Sequence, residues 1–225
     1  MRRRVNDGPT TPSTPPRVDH PIFAWLWPRL SRQLDRAGAA THRQRLVASL
    51  SGAVIEIGVG EGRNFAHYPP GVSRLLAVEP EPRLRALATQ QARRTPFPVE
   101  VVDGTAEALP ADADQFDAAV SSLVLCSVTD PRRAASELGR VLAPGGQLRF
   151  FEHVASDSPR LRRVQRLLDA TIWPRLGGGC HTARDTVATL RDAGFVIEDL
   201  DRFRFPATTC PLPTSPHVLG RAQRT

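Results

Sequence analysis

Val54-Ile55-Glu56-Ile57-Gly58-Val59-Gly60-Glu61-Gly62 is an apolar run that ends in three glycines at alternate positions. Its length and β-branched content suit a buried strand, and the glycines suit the tight turn after it. Seventeen residues past Gly62, a second apolar run, Leu75-Leu76-Ala77-Val78, ends in Glu79. A strand, a glycine turn, a helix and a second strand tipped by an acid is how a doubly wound sheet holds a ribose. The glycines let the backbone pass close to a ligand, and the acid can accept both ribose hydroxyls. The spacing differs from the dinucleotide fingerprint Gly-x-Gly-x-x-Gly: here the glycines are closer together, and Glu56 stands two places before the first. Taken alone, such a turn also reads as a β–α connection with no ligand. Glu79 favours the nucleotide-like site.

The chain has 225 residues, enough for one α/β domain with a full core. It is 40% hydrophobic and 24% charged, a globular composition. No apolar run is long enough to span a membrane. The basic start, Met1-Arg2-Arg3-Arg4, is not followed by the apolar stretch of a secretory signal. Three widely separated cysteines, Cys126, Cys180 and Cys210, argue against a disulfide framework and for a reducing cytoplasm. The net charge is +7, yet every basic residue is Arg and none is Lys. That bias fits a GC-rich coding sequence better than phosphate binding. The densest cluster, Arg160, Arg162, Arg163 and Arg166, can form the wet side of one helix with no aromatic platform between, so no nucleic-acid partner is expected.

Residues 1–19 are rich in Pro, Thr, Arg and Ser and read as a disordered tail, leaving 20–225 as a single domain. Apolar residues recur at helical spacing from Ile22 to Leu34, with Pro28 expected to kink or break the helix. A second helix is expected over about 40–50. These N-terminal helices would either cap the site or pack on the sheet edge. Strands are expected at 53–57, 74–78, 99–102, 116–121, 147–153, 195–200 and 217–222. Between them come a short helix at 64–68 and longer ones over about 83–93, 130–142 and 161–172. Another starts at Thr182-Ala183-Arg184-Asp185 and ends at Gly194. Arg175–His181 reads as a Gly-rich loop. Strands alternating with helices predict a mostly parallel sheet.

Glu56–Gly62, Glu79, Ala106-Glu107-x-Leu109-Pro110, Phe116-Asp117 and Arg140-Val141-Leu142-x-Pro144-Gly145-Gly146 together resemble the class I S-adenosylmethionine (SAM) methyltransferases. They cover residues 53–153 in order. The resemblance implies a doubly wound, mostly parallel seven-stranded Rossmann-like sheet, SAM as cofactor and a small-molecule methyl acceptor. Further segments are similar to the methyltransferase-like thiol S-methyltransferases. They are Asn64-Phe65, Tyr68-Pro69-Pro70-Gly71, Leu123-Val124-Leu125-Cys126-Ser127-Val128, Phe151-Glu152-His153-Val154, Gln165-x-x-Leu168-Asp169 and Gly179-Cys180-x-x-x-Arg184-x-Thr186. That family implies S-methylation of a thiol, with O-, N- or C-methylation in natural-product or quinone synthesis as the alternative. A SAM-binding protein without catalysis is a third reading. The chain departs in carrying Glu79 where the family has Asp. It also has no hydrophobic N-terminal anchor, so membrane association does not carry over.

The resemblance assigns Glu56, Gly58, Gly60, Gly62 and Asn64 to the amino-acid end of SAM and Glu79 to the ribose. It assigns Thr105 and the Ala106 N–H to the adenine, and Ser122 and Leu123 to the surroundings of the methionine sulfur. Asp103 reads as either an adenine neighbour or an ordinary turn residue. His153, His181 and Arg184 are the candidate catalytic residues. His153 is either a base or a hydrogen-bond partner of Glu152. Arg184 either binds an anionic group or holds a lid by a salt bridge. Cys126 reads as packing or as a reactive thiol. His153, Cys180 and His181 lack a closely spaced pair, so no metal is expected. Methyl transfer from a sulfonium needs alignment and exclusion of water more than a strong base.

Overall fold

The computed structural model describes residues 21–207 and 212–225; the tail over 1–19 and Cys210 lie outside them. Helix α1, Pro21–Leu34, runs on through a π-helical segment, Asp35–Ala39, into α2, Ala40–Val47. Pro28 lies inside α1 without ending it. The bend falls instead at Gly38, whose φ of +116° only glycine adopts freely.

Strands β1 (Gly52–Ile57), β2 (Val72–Val78), β3 (Val99–Val102), β4 (Phe116–Ser122), β5 (Leu142–His153), β6 (Phe195–Arg204) and β7 (Pro216–Arg224) form one sheet. Its order is β3-β2-β1-β4-β5-β7-β6. The five strands from β3 to β5 are parallel, and β7 runs antiparallel to both β5 and β6. The order reverses between β1 and β4, and their C-terminal ends form the crevice where open α/β sheets bind ligands.

Alternation along β1 divides the core. Ile55 and Ile57 join a cluster with Phe116, Leu148 and Phe150, covered by α4 (Pro131–Val141) through Ala134, Ala135, Leu138 and Val141. Val54 joins the opposite cluster with Leu75, Ala118, Val120 and Phe151, covered by Leu46 and Val47 of α2, by Leu50 just after it and by Ala88 of α3 (Pro82–Ala92). Helix α4 is capped by Asp130, which accepts from the N–H groups of Arg132 and Arg133, with Pro131 as first helical residue.

Several boundaries differ from those the sequence suggests. Pro144-Gly145-Gly146 is not a gap before β5 but an irregularity inside it: Phe116 pairs with Leu142, and the ladder resumes at Ala118 and Gln147. Residues 64–68 form only a single 3-10 turn, Phe65–His67. Helix α5 covers Pro159–Asp169, and Trp173–Leu176 forms a separate short helix, α6. Helix α7, Thr186–Asp192, begins later than Thr182, because Asp169 captures Thr182 and Ala183 first. Its Oδ1 accepts from Thr182 N–H at 2.8 Å and its Oδ2 from Ala183 N–H at 2.8 Å. Asp185 then caps α7 through the N–H of Ala188.

Phe151 is fully buried and stacks with His217 at 5.2 Å and His42 at 5.5 Å between ring centroids. Phe151→Ala should therefore lower stability by about 3–5 kcal/mol. A denaturant midpoint unchanged from the parent would contradict this packing.

Candidate active site

At the end of β1 the chain turns through Gly58, Gly60 and Gly62, with φ of +57°, +57° and +80°. A Cβ on Gly58 would lie 2.5 Å from Val124 Cγ2, so the turn after β4 rests directly on this glycine. A Cβ on Gly60 would lie 3.1 Å from Trp27 Nε1 of α1.

Glu79, at the tip of β2, is 5% exposed. Its Oε2 accepts from the Gly60 N–H at 2.7 Å and its Oε1 from the Glu81 N–H at 3.0 Å. A carboxylate has about four acceptor sites, so two remain. Two hydroxyls on adjacent carbons are the donors such a pair suits. Burial pushes this carboxyl up to about 7, and the two N–H donors oppose the rise. At the end of β4, the Ser122 hydroxyl is buried with no hydrogen-bond partner among the described residues. Leu123 next to it holds a left-handed φ of +61°, a strain that concentrates at binding sites. The open acceptor sites of Glu79, the orphaned Ser122 hydroxyl and the glycine turn together fit a ribose-bearing cofactor such as SAM.

Glu56 does not reach outward. It is buried, and accepts from Asn64 Nδ2 at 2.6 Å and from the Tyr68 hydroxyl at 2.8 Å. Arg43 donates to Asn64 Oδ1 at 3.0 Å and to Asp35 at 3.1 Å. Glu56 and Asn64 therefore hold the turn to the N-terminal helices, and Tyr68 packs inward. Burial pushes Glu56 up to about 7, against the two side-chain donors and Arg43. Glu61 accepts from Ser31 of α1 and from Arg63 at 3.0 Å. Ala106 is buried beside Leu109, while Thr105 bridges back to Ala108. Asp103 is exposed and paired with Arg85 at 3.0 Å, the ordinary turn role.

Across the crevice, Glu152 is fully buried. Its Oε1 accepts from the Ser121 hydroxyl at 2.6 Å and from the N–H groups of Val124 and Leu125 at 3.1 Å; its Oε2 accepts from the Cys126 N–H at 3.2 Å. Glu152 is thus spent on the turn after β4, not on His153. The His153 Nδ1 lies instead 3.6 Å from Cys126 Sγ and 3.4 Å from Cys180 Sγ. Cys180 is the sulfur that ionises more readily. The Cys126 thiol and then His153 favour its thiolate against burial, assisted by Trp173 Nε1, which has no hydrogen-bond partner among the described residues. The same contact, with burial, pushes the Cys126 thiol up. Cys126 is therefore both buried and polar in its contacts.

Arg184 forms no salt bridge among the described residues. It donates to the Leu125 carbonyl at 2.8 Å. His181 places Nδ1 2.8 Å from the Gly179 carbonyl, and its backbone N–H donates to the Cys126 carbonyl at 2.7 Å. Both residues fasten the Gly177–Cys180 loop to the turn after β4. Helix α1 covers the two halves: Trp27 lies on Gly60, and the Phe23 ring lies 2.9 Å from where a Gly178 Cβ would stand. Helix α2 instead packs on the sheet face. The sequence reading missed Ser31 and Arg43, whose contacts come only from folding.

Residues 55–150 match the methyltransferase-domain family. Human thiol S-methyltransferase TMT1B is 31% identical over 209 residues, covering 89% of this chain and 84% of that protein. The rat protein of the same name is 36% identical over 174 residues, covering 75% and 69%. A solved SAM-dependent methyltransferase of Thermotoga maritima, described as a possible histamine N-methyltransferase, superposes with a TM-score of 0.65 at 24% identity. It covers 91% of this chain and 98% of its own, a likeness of fold.

The raised carboxyls give a pH signature. Unfolded, Glu56 and Glu79 lose their protons near 4.5; folded, they hold them to about 7. The folded state binds more protons in that window, so their contribution to stability is full below about 4.5 and is lost as pH rises through about 7. Ligand-free protein should show this decline in denaturant titrations, and Glu56→Gln should flatten it. Equal slopes in the two proteins would refute the assignment.

Proposed function

The chain belongs to the class I SAM-dependent methyltransferases, in the family of the TMT1 thiol S-methyltransferases, and on that premise we propose that it transfers a methyl group from SAM to a small thiol. SAM supplies a sulfonium methyl that needs no further activation. Glu79 binds the ribose hydroxyls through its two open acceptor sites, and the Ser122 hydroxyl gains the partner it lacks. The glycine turn, Thr105 and the Ala106 N–H complete the cofactor side. Trp27 and Phe23 of α1 exclude water from the cleft, which favours displacement at the methyl carbon.

The observation that carries the thiol reading is the state of the acceptor end. Its one buried carboxylate, Glu152, is saturated by four donors and is unavailable as a base. A thiol, with an ordinary pKa of about 8.5, ionises with little help, whereas an alcohol would need a base. His153 Nδ1 stands beside the two sulfurs at that end, 3.6 Å from Cys126 Sγ and 3.4 Å from Cys180 Sγ. His181 and Arg184 act by positioning the loop that carries Cys180. We place the enzyme in the cytoplasm, acting on a small molecule and not on nucleic acid, as one domain over 20–225. The free thiols of Cys126 and Cys180 support a reducing compartment, and no helix among the described residues is long and apolar enough to cross a membrane.

Incubation with SAM and a panel of alkyl thiols, phenols and amines tests the acceptor, with products read by mass spectrometry. Methyl thioethers should form; turnover of phenols or amines without thiols would overturn the thiol assignment. Glu79→Ala should weaken SAM binding at least about 100-fold in calorimetry, the scale of two hydrogen bonds to a charged group. Unchanged affinity would remove Glu79 from the cofactor site.

A further inference from the structure

We propose that Cys126 Sγ, Cys180 Sγ and His153 Nδ1 form a binding site for one thiophilic cation of the zinc type. The three atoms lie within 4.8 Å of one another, although the residues come from three separate elements. The two sulfur–nitrogen edges, 3.6 Å from Cys126 Sγ to His153 Nδ1 and 3.4 Å from Cys180 Sγ, have a physical meaning. Around a tetrahedral ion with bonds of about 2.3 Å to sulfur and about 2.0–2.1 Å to nitrogen, the sulfur–nitrogen edge is about 3.6 Å. The three atoms therefore already stand close to the spacing of one face of such a tetrahedron. Two thiolates and an imidazole also select a borderline-soft d10 ion over magnesium or calcium, which take oxygen ligands.

The outer contacts resemble those that hold metal ligands in place. Cys126 is fixed through its N–H by Glu152 and through its carbonyl by the His181 N–H. Cys180 follows a loop in which the Gly177 and Gly179 N–H groups each donate at 2.7 Å, to Trp173 and Pro174. Gly179, with φ of +87°, is pressed against Ser127: a Cβ there would lie 2.7 Å from the Ser127 carbonyl oxygen. His153 packs its ring 4.4 Å from that of His217. The site is thus held rigid before any ion arrives, and its two cysteines are buried. The 27-residue separations of Cys126 from His153 and of His153 from Cys180 explain why sequence spacing gave no hint of it.

Three protein ligands leave a fourth position for an exchangeable group, as in catalytic and not structural zinc sites. We extend the proposal to say that an acceptor thiolate takes that position. This extension rests on the thiol reading above, whereas the cation site does not.

The test is a titration of the full chain, reduced and then freed of reductant, with Co(II) and then Zn(II). One equivalent of Co(II) should produce a thiolate-to-cobalt charge-transfer absorption, and Zn(II) should abolish it. Cys126→Ser and Cys180→Ser should lose the band, and His153→Gln should weaken the affinity at least about 10-fold. Calorimetric SAM binding by each variant verifies that it is folded. No band in the reduced parent, or a band that persists in the Cys126→Ser/Cys180→Ser double variant, overturns the site. Loss of both free thiols on removing reductant, without metal uptake, also overturns it and identifies the pair as a disulfide instead. Adding an alkyl thiol should shift the Co(II) d–d bands. If it does not, the fourth-ligand extension fails while the cation site stands, and the turnover assay reports separately on the thiol reading.

Discussion

Everything at the mouth of this crevice depends on the buried Glu152 carboxylate. Four donors converge on it, three of them backbone N–H groups in the turn that follows β4. A buried acid without partners would be costly, and a turn with three unpaired N–H groups would be equally so; each removes the cost of the other. Parallel pairing makes this possible. Ser121 and Ser122 lie opposite Phe150 and Phe151, so the carboxylate of Glu152 emerges where the neighbouring strand leaves the sheet. The left-handed backbone at Leu123 is held in this arrangement. From there Val124 meets Gly58 of the glycine turn, and Cys126 meets His153. One side chain thus sets both ends of the site.

A second group of acids works in the same inward manner. Glu56 ties Asn64 and Tyr68, Asn64 ties Arg43, and Arg43 ties Asp35 at the bend between α1 and α2. Glu61 ties Ser31 of α1. The acid-and-glycine signature therefore does two things. Its glycines shape the turn, and its acids anchor the helices that cover it. A ligand that alters the turn is connected through these bonds to α1, and through Phe23 to the loop that carries Cys180.

The parts of this design that were legible in the sequence are the local ones. Strands β1 and β2, the glycine turn and Glu79 lie within one short stretch, and their periodicity and spacing place the strands to within two residues. The places where the reading slipped are those where distant residues compete. Thr182 looks like a helix start, but Asp169 takes its N–H and hydroxyl, so the helix waits for Asp185. Pro144-Gly145-Gly146 looks like a boundary, but pairing on both sides keeps it within β5. Glu152 and His153 are adjacent, yet their side chains serve different purposes, because successive residues of a strand point to opposite faces. No local rule brings Cys126 and Cys180 to the same imidazole.

The fold by itself does not choose an acceptor, because this architecture supports many chemistries. The choice has to lie in the field at the acceptor end. There the protein keeps Cys180 more acidic than an ordinary thiol, although burial alone would do the opposite. The Cys126 thiol and His153 oppose burial directly, and Arg184 lies close enough for both sulfurs to act on its charge. A neighbouring sulfur anion would oppose an entering thiolate, so what favours one there is the Arg184 charge. For an alcohol the same field would be insufficient, since its proton is held many orders of magnitude more tightly and Glu152 has no acceptor capacity left to remove it. On the thiol reading proposed above, selectivity for sulfur follows from an acid that is occupied and an Arg184 charge nearby, without any group dedicated to recognising the substrate.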